Sequence, residues 1–219
     1  TLTAPERPEH PMSPITPSKI VCVGRNYAKH AAELGNEVPT EPLIFLKPPS
    51  AIIGAGEAIV LPGGVGRVDF EGEIGVVIGT RARHVAQADA WGHVAALVPV
   101  NDVSARDLQK KDVQWSRAKG FDTFCPVGTP VPVARVDLQK LGVCTRVNGQ
   151  VRQDSTAADM VFTIPFLIAH ISRIMTLEPG DLIATGTPDG VGPLAPGDEV
   201  EVQVAGVGSV RNPVRAEAL

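Results

Sequence analysis

Short apolar runs separated by turns dominate this chain, and helix-length amphipathic stretches are few. KIVCVG at 19–24 and LIFL at 43–46 read as short strands. Between them GRNY leads into a helix near 28–34, with Gly35 as its stop. Residues 51–61 read as a strand pair, and PGG at 62–64 as a turn. The segment RVDFEGEIGVVIG at 67–79 opens with alternating acidic positions and ends in the unbroken apolar run of a buried strand. A helix is expected around 85–97, with 95–100 already turning into strand, and Ser104 stands where it can cap a helix over 105–111. Further on, VPV at 131–133 and residues 143–147 read as strands, and Asn148-Gly149 as a tight hairpin turn. Residues 163–175 form the best helix of the second half, with Pro165 in its first turn, where proline is tolerated. Two Pro-Gly-Asp turns follow, at 179–181 and 196–198. Strands over 182–185 and Glu199–Val204 flank a glycine-rich stretch at 185–192.

Side chains two apart on a strand share a face, so Asp69, Glu71 and Glu73 line one side while Phe70, Ile74 and Val76 line the other. Glu-x-Glu is ordinarily a solvated strand face. Here it runs into a core strand, where adjacent carboxylates must share a proton or hold a cation. Asp102 closes a second apolar run, AALVPVND. Three carboxylates without a His or Cys companion point to a hard divalent cation, Mg2+ or Mn2+.

Composition narrows the classes. The chain has 219 residues, 43% of them hydrophobic, which suits one sizeable core. The net charge of −4 gives no footprint for nucleic acid or an anionic membrane surface. The apolar stretch at 160–174 is broken by Pro165, His170 and Arg173 and is too short to span a bilayer. The proline-rich start lacks the apolar segment of a secretion signal. Cys22, Cys125 and Cys144 are too scattered for a disulfide framework or a zinc site and read as core residues, which fits a reducing cytoplasm. Pro5, Pro8, Pro11, Pro14 and Pro17 recur every third position, so residues 1–17 read as a proline-rich arm, either laid across a partner subunit or free, before a single domain at 18–219.

Other groups carry candidate chemistry. His30 and Glu33 share a helix face, which makes a carboxylate-oriented general base, although surface pairs of this kind are common. Arg106 and Gln109 are likewise three apart and suit a substrate carboxylate. Lys119, between Ala118 and Gly120-Phe121, can hold a positive charge near a reacting group if it is desolvated, and a solvated lysine is the ordinary alternative. The 185–192 stretch lacks the Gly-Lys-Ser/Thr ending of a phosphate loop, but its amides and Thr185 or Thr187 can approach a small anion. No Gly-x-Ser-x-Gly occurs, so a serine-hydrolase reading has no support.

The motifs CVGRNY (22–27), His30…Glu33, FLKP (45–48), DFEGE (69–73), VNDVSARD (100–107), KGFD (119–122), VNG (147–149) and ATGTPDG (184–190) stand in an order that resembles the fumarylacetoacetate hydrolase family, over residues 19–213. The likeness is strongest to its short acylpyruvase and oxaloacetate decarboxylase-like branch. The resemblance implies an α+β, strand-rich fold with a rolled mixed β-sheet and a few peripheral helices, in a homodimer. It implies Mg2+ or Mn2+ held by Glu71, Glu73 and Asp102, a catalytic His30–Glu33 dyad on a segment able to act as a lid, and Lys119 against developing negative charge. Arg25, Arg106, Gln109 and Thr187 would face the substrate. The expected activity is metal-dependent C–C hydrolysis of a small 2,4-dioxo acid, with oxaloacetate decarboxylation or keto–enol tautomerisation open to the same site. Two alternatives stand beside it: an isomerase or decarboxylase for hydroxymuconate-type ring-cleavage products, and a catalytically silent ligand-binding module.

Overall fold

In the computed structural model residues 15–33, 35 and 37–218 are described, and two large sheets pack face to face among them. A six-stranded sheet runs Val131–Pro132, Val94–Asn101, Gly72–Ile78, Leu182–Ala184, Ile20–Gly24, Leu43–Lys47. Its pairings are antiparallel except that of Ile20–Gly24 with Leu182–Ala184. A five-stranded sheet runs Gln150–Thr156, Gly142–Val147, Glu199–Val204, Gly208–Ala216, Ile59–Leu61. The fold is therefore α+β, strand-rich and mixed, with the peripheral helices α1 (Ala28–Glu33), α2 (Arg106–Lys111), α3 (Ser116–Lys119) and α4 (Ile164–Ile174).

The six-stranded sheet is covered on both faces, which explains the unbroken apolar run at 74–78. Ile74, Val76 and Ile78 face Val143, Val202 and Val204 of the second sheet and Leu167 and Ile171 of α4. Val77 joins Cys22, Val98 and Leu182 in a separate cluster on the opposite face. Cys22 and Cys125 are buried there, as expected, and burial pushes the Cys125 thiol up to about 12, while Cys144 is only half-buried. No helix of the described residues is long and apolar enough to cross a membrane.

Several expectations from the sequence are corrected. The acidic strand is two strands: Val68–Phe70 pairs with Gly192–Pro193 and Ser104–Ala105, and a new strand starts at Gly72. Between them the Glu71 amide donates to the Asn101 side chain at 2.9 Å, outside any ladder. Phe70 therefore belongs to a third cluster with Val103 and Phe124, away from Ile74 and Val76. The strands at 51–61, Ile52–Ile53 and Ile59–Leu61, do not pair with each other but with Cys125–Pro126 and Gly208–Ala216. The helix at 85–97 is a 3-10 helix, Gln87–His93, because the apolar run from Val94 is taken into the sheet. Ser104 is no cap: it lies in a strand, and its hydroxyl donates to the Asp102 carbonyl at 2.9 Å. Helix α1 ends at Glu33 with Gly35 at φ 68 beyond it, and Leu34 lies outside the described residues. Of the arm, Pro5, Pro8, Pro11 and Pro14 also lie outside them, whereas Pro17 is buried and Ile15 packs into the core.

The chain's entry into the core is fixed by Asp181, in the first Pro-Gly-Asp turn. Its carboxylate accepts from the Ser18 amide (3.0 Å), the Ser18 hydroxyl (2.6 Å), the Lys19 amide (3.1 Å), the Glu178 amide (2.8 Å) and the Lys19 ammonium. Burial alone would raise its pKa, but the bonds from Lys19, Ser18 and Glu178 outweigh it and hold the carboxyl below its usual value. A depressed carboxyl stabilises the fold above its unfolded pKa of about 4 and loses that contribution as pH falls through the folded value. Asp181→Asn is expected to cost about 2 kcal/mol in urea melts at pH 7. The gap between variant and wild type should narrow below about pH 4, and a gap independent of pH would contradict this account.

Candidate active site

The break at Glu71 is what makes the site. Glu71 and Glu73 project toward Asp102, which follows the neighbouring strand Val94–Asn101, and the Asp102 amide donates to the Glu71 carbonyl at 2.8 Å. One ligand oxygen from each of the three carboxylates lies within 4.8 Å of the others, and all three residues are buried. Gly72 between the glutamates has no room for a side chain: a Cβ there would lie 1.9 Å from Thr145 Oγ1. Asp69, expected on the same face, instead anchors Arg67 (2.6 Å) and Arg106 (2.8 Å).

Cations lie against two of the three carboxylates. Lys119 of α3 donates to Glu71 at 2.6 Å and to Asp102 at 2.7 Å. Arg106 of α2 pairs with Glu71 at 2.6 Å. Lys47, at the end of its strand, donates to the other Asp102 oxygen at 2.7 Å and to the Val103 carbonyl at 3.2 Å. Among the described residues Glu73 accepts only the Gly186 amide, at 2.8 Å. Burial, helped by the adjacent Asp102 and Glu71 charges, pushes Glu73 well above the usual carboxyl range. Burial would do the same to Glu71, but Arg106 and Lys119 reverse the effect and hold it well below. Desolvation opposes the charge on Lys119, yet Asp102 and Glu71 raise its pKa overall, so it is a permanent ammonium.

These groups form the floor of a cleft of about 280 Å³. His30, Arg25, Arg106, Gln109, Lys119 and Thr187 all line it with the three carboxylates, and Glu33 stands behind His30. His30 Nδ1 lies 3.3 Å from Glu33, whose carboxylate is also held by the Gly190 amide at 3.1 and 3.2 Å. Gly190 has φ 95 and abuts the Arg152 carbonyl, where a Cβ would sit 2.0 Å away, so no other residue fits. Arg25 has φ 57, an unusual backbone for a residue with a side chain. Phe45 and Trp115, edge to face at 5.2 Å, form an aromatic wall, with the Lys119 ammonium 5.0 Å from the Phe45 ring.

The Arg106 fork is largely spent inside the protein, on Asp69, Glu71 and the Gln109 carbonyl oxygen at 2.8 Å. That last bond leaves the Gln109 amide nitrogen to donate into the cleft. Sequence reasoning missed Lys47, Asn101, Lys110 and Gln153. Lys47 had a signal, since a lysine inside the apolar run LIFLKP must be paired if that strand is buried. Lys110 and Gln153 sit in polar surroundings and gave none, and Asn101 was read only as the end of an apolar run.

Residues 19–215 match the family described as fumarylacetoacetate (FAA) hydrolase C-terminal. The chain belongs to the fumarylacetoacetate hydrolase family. Relatives of known name share most of its length. The oxaloacetate tautomerase YisK of Bacillus subtilis is 43% identical over 212 residues, which is 90% of this chain and 70% of that protein. The structure of 5-carboxymethyl-2-hydroxymuconate delta-isomerase from Mycobacterium smegmatis superposes with a TM-score of 0.87 at 47% identity, covering 94% of this chain and 81% of that one. Fumarylpyruvate hydrolase from Pseudomonas aeruginosa, solved with Mn2+ and pyruvate, gives a TM-score of 0.89 at 28% identity, covering 98% and 100%.

The donor set fits a divalent ion: three hard carboxylate oxygens, converging and buried, with Glu73 unneutralised by any cation among the described residues. Because burial and the neighbouring Asp102 and Glu71 charges favour the protonated form of Glu73, a divalent ion held there would compete with that proton. Affinity for the ion should rise with pH until the Glu73 carboxyl is empty, then level off. Calorimetry in two buffers of different ionisation enthalpy at mildly acidic pH should record about one proton released per ion. Release of none would mean that Glu73 is already ionised.

Proposed function

We propose that this protein is a Mg2+- or Mn2+-dependent enzyme that cleaves a carbon–carbon bond in a small 2,4-dioxo acid of the acylpyruvate type. Glu71, Glu73 and Asp102 would hold the ion, which supplies an electrophile for the 2-oxo acid end of the substrate. The observation that carries this reading is the placing of an acid-floored cleft, a fixed ammonium and an imidazole–carboxylate pair around one space. Specific metal, single catalytic domain over 18–219, homodimeric assembly and a cytoplasmic setting belong to the same proposal.

Each residue then has a task its contacts suit. Glu33, pinned by the Gly190 amide, accepts from His30 Nδ1 and leaves Nε2 as the basic nitrogen. Nε2 takes the proton of a water that attacks the distal carbonyl. Scission would leave a pyruvate enolate, whose charge the Lys119 ammonium in the same cleft would meet until the His30 imidazolium returns its proton to the carbon. Gln109, oriented by Arg106, donates to the substrate carboxylate, and Arg25 stands farther along the same wall. Phe45 and Trp115 keep water from the enolate face.

A second reading uses the same enolate-stabilising floor without water attack, giving keto–enol tautomerisation, decarboxylation of oxaloacetate or isomerisation of a hydroxymuconate-type acid. The activities of the Bacillus and Mycobacterium relatives favour it. Offering the Mn2+-loaded wild type both an acylpyruvate and oxaloacetate separates the two, since a released carboxylic acid product from the acylpyruvate belongs to the hydrolytic reading alone. Under that reading His30→Ala should lose about 10²–10⁴ in acylpyruvate turnover. Near-normal hydrolysis by His30→Ala would remove this residue from the base role. Lack of turnover on every oxo acid offered with Mn2+ would leave only a ligand-binding module.

A further inference from the structure

Behind the cleft lies a buried amide that the mechanism above does not use. Gln153, 1% exposed, belongs to the strand Gln150–Thr156 of the second sheet, yet its side chain reaches the floor of the site. Its Oε1 accepts from the Gly72 amide at 2.9 Å. Its Nε2 donates to the Pro188 carbonyl at 2.8 Å and to Thr187 Oγ1 at 2.7 Å. The two ends of a glutamine amide are ordinarily hard to tell apart. Here they are fixed, because a backbone N–H can only donate and a backbone carbonyl can only accept.

That fixed polarity passes to the threonine. A hydroxyl has one proton to give and two lone pairs to receive with. Thr187 Oγ1 gives its proton to the Gly72 carbonyl at 2.9 Å and receives from Gln153. One lone pair is left, on a side chain that lines the cleft. We propose that Gln153 is a positioning residue that locks the Thr187 hydroxyl as a pure acceptor toward the cleft, so that the site favours a ligand presenting an O–H or N–H there, the enol rather than the keto form of a 2-oxo acid. The hydroxyl's orientation stands on the hydrogen bonds alone. The choice of enol rests on the proposed function.

The lock also sets the acid pair. Gln153 and Thr187 together hold the amide and the carbonyl of Gly72, the residue between Glu71 and Glu73. The five-stranded sheet thus fixes the angle at which both carboxylates leave the backbone.

Neutron diffraction from deuterated, ligand-free protein tests the orientation. The deuteron of Thr187 is expected between Oγ1 and the Gly72 carbonyl, and both deuterons of Gln153 Nε2 on their stated partners. A Thr187 deuteron pointing into the cleft overturns the proposal. The selection is read by calorimetry on the Mn2+-loaded protein with two ligands of one shape: oxamate, which carries an N–H donor, and oxalate, which carries none. Thr187→Val should weaken oxamate about tenfold, the worth of one hydrogen bond, and oxalate less than twofold. Thr187→Ser should keep the wild-type ratio of the two. Gln153→Leu frees the hydroxyl to turn, so the ratio should shift toward oxalate by about fivefold. Equal weakening of both ligands in Gln153→Leu and Thr187→Val would reduce the two residues to packing and refute the selection. If neither ligand binds the wild type, the functional reading fails and the enol preference with it, while the neutron map still decides the lock.

Discussion

The structure depends on keeping Asp69, Glu71, Glu73 and Asp102 out of water beside one another. Four buried carboxylates would be untenable alone, since each ion loses several kcal/mol of hydration and repels the others. Lys47, Arg106 and Lys119, themselves 5% exposed or less, offset the charge at hydrogen-bond distance. The cations come from separate elements, one from an edge strand and two from α2 and α3. Docking of these pieces against the acidic floor brings the site's charges together. The arrangement also accounts for the short helices. The few turns of α2 and α3 do not need intrinsic helix stability, because Arg106 and Lys119 tie them to the acidic floor.

Residues 186–190 do for the backbone what the cations do for the charge. Gly186 binds Glu73, Thr187 binds Gly72, the Pro188 carbonyl receives Gln153, and Gly190 binds Glu33. Asn26, next to the strained Arg25, fastens the base of this loop by donating to the Thr185 carbonyl at 2.8 Å. Acid pair and dyad are therefore held by neighbouring residues of one loop. Movement of α1 would strain the Gly190 contact before it disturbed the carboxylates.

Much of this was legible in the sequence, for identifiable reasons. Apolar runs gave the core strands because burial on both faces leaves no polar positions to confuse the pattern. The Glu-x-Glu spacing gave the acid pair and the three-residue spacing set His30 beside Glu33, whereas the place of Lys119 came with the family resemblance. Legibility failed where a partner distant in the chain decides the outcome. The break at Glu71 is invisible in RVDFEGEIG because Asn101 and Asp102 cause it. Ser104 looked like a cap because Asp102 O, its actual partner, is unrelated to helix-start patterns. Gln153 was the hardest case. The strand holding it has an exposed valine, Val151, at 54%, and a buried glutamine two places on, the reverse of what alternation predicts. Arg152, skipped in the pairing where Thr145 faces Gln153 and Arg146 faces Val151, sets this inversion, and single-strand periodicity carries no trace of it.

The same charge balance says what the cleft is prepared to receive. Asp69, Glu71 and Asp102 are met by Lys47, Arg106 and Lys119, with Arg67 also on Asp69, so Glu73 is the carboxylate of the group without a cation partner among the described residues. On the proposed function, a divalent ion against the Glu73 carboxylate would leave a surplus of one positive charge. A monoanionic oxo acid cancels it. An enolate, with one negative charge more, overshoots and must draw on cations not already matched. Arg25 and Lys110, which line the same cleft without an ion-pair partner among the described residues, are in position to meet that excess. Positive charge farther along the wall attracts bound substrate throughout, and it lowers a barrier to the extent that it meets the added charge of the enolate more strongly than that of the ground state.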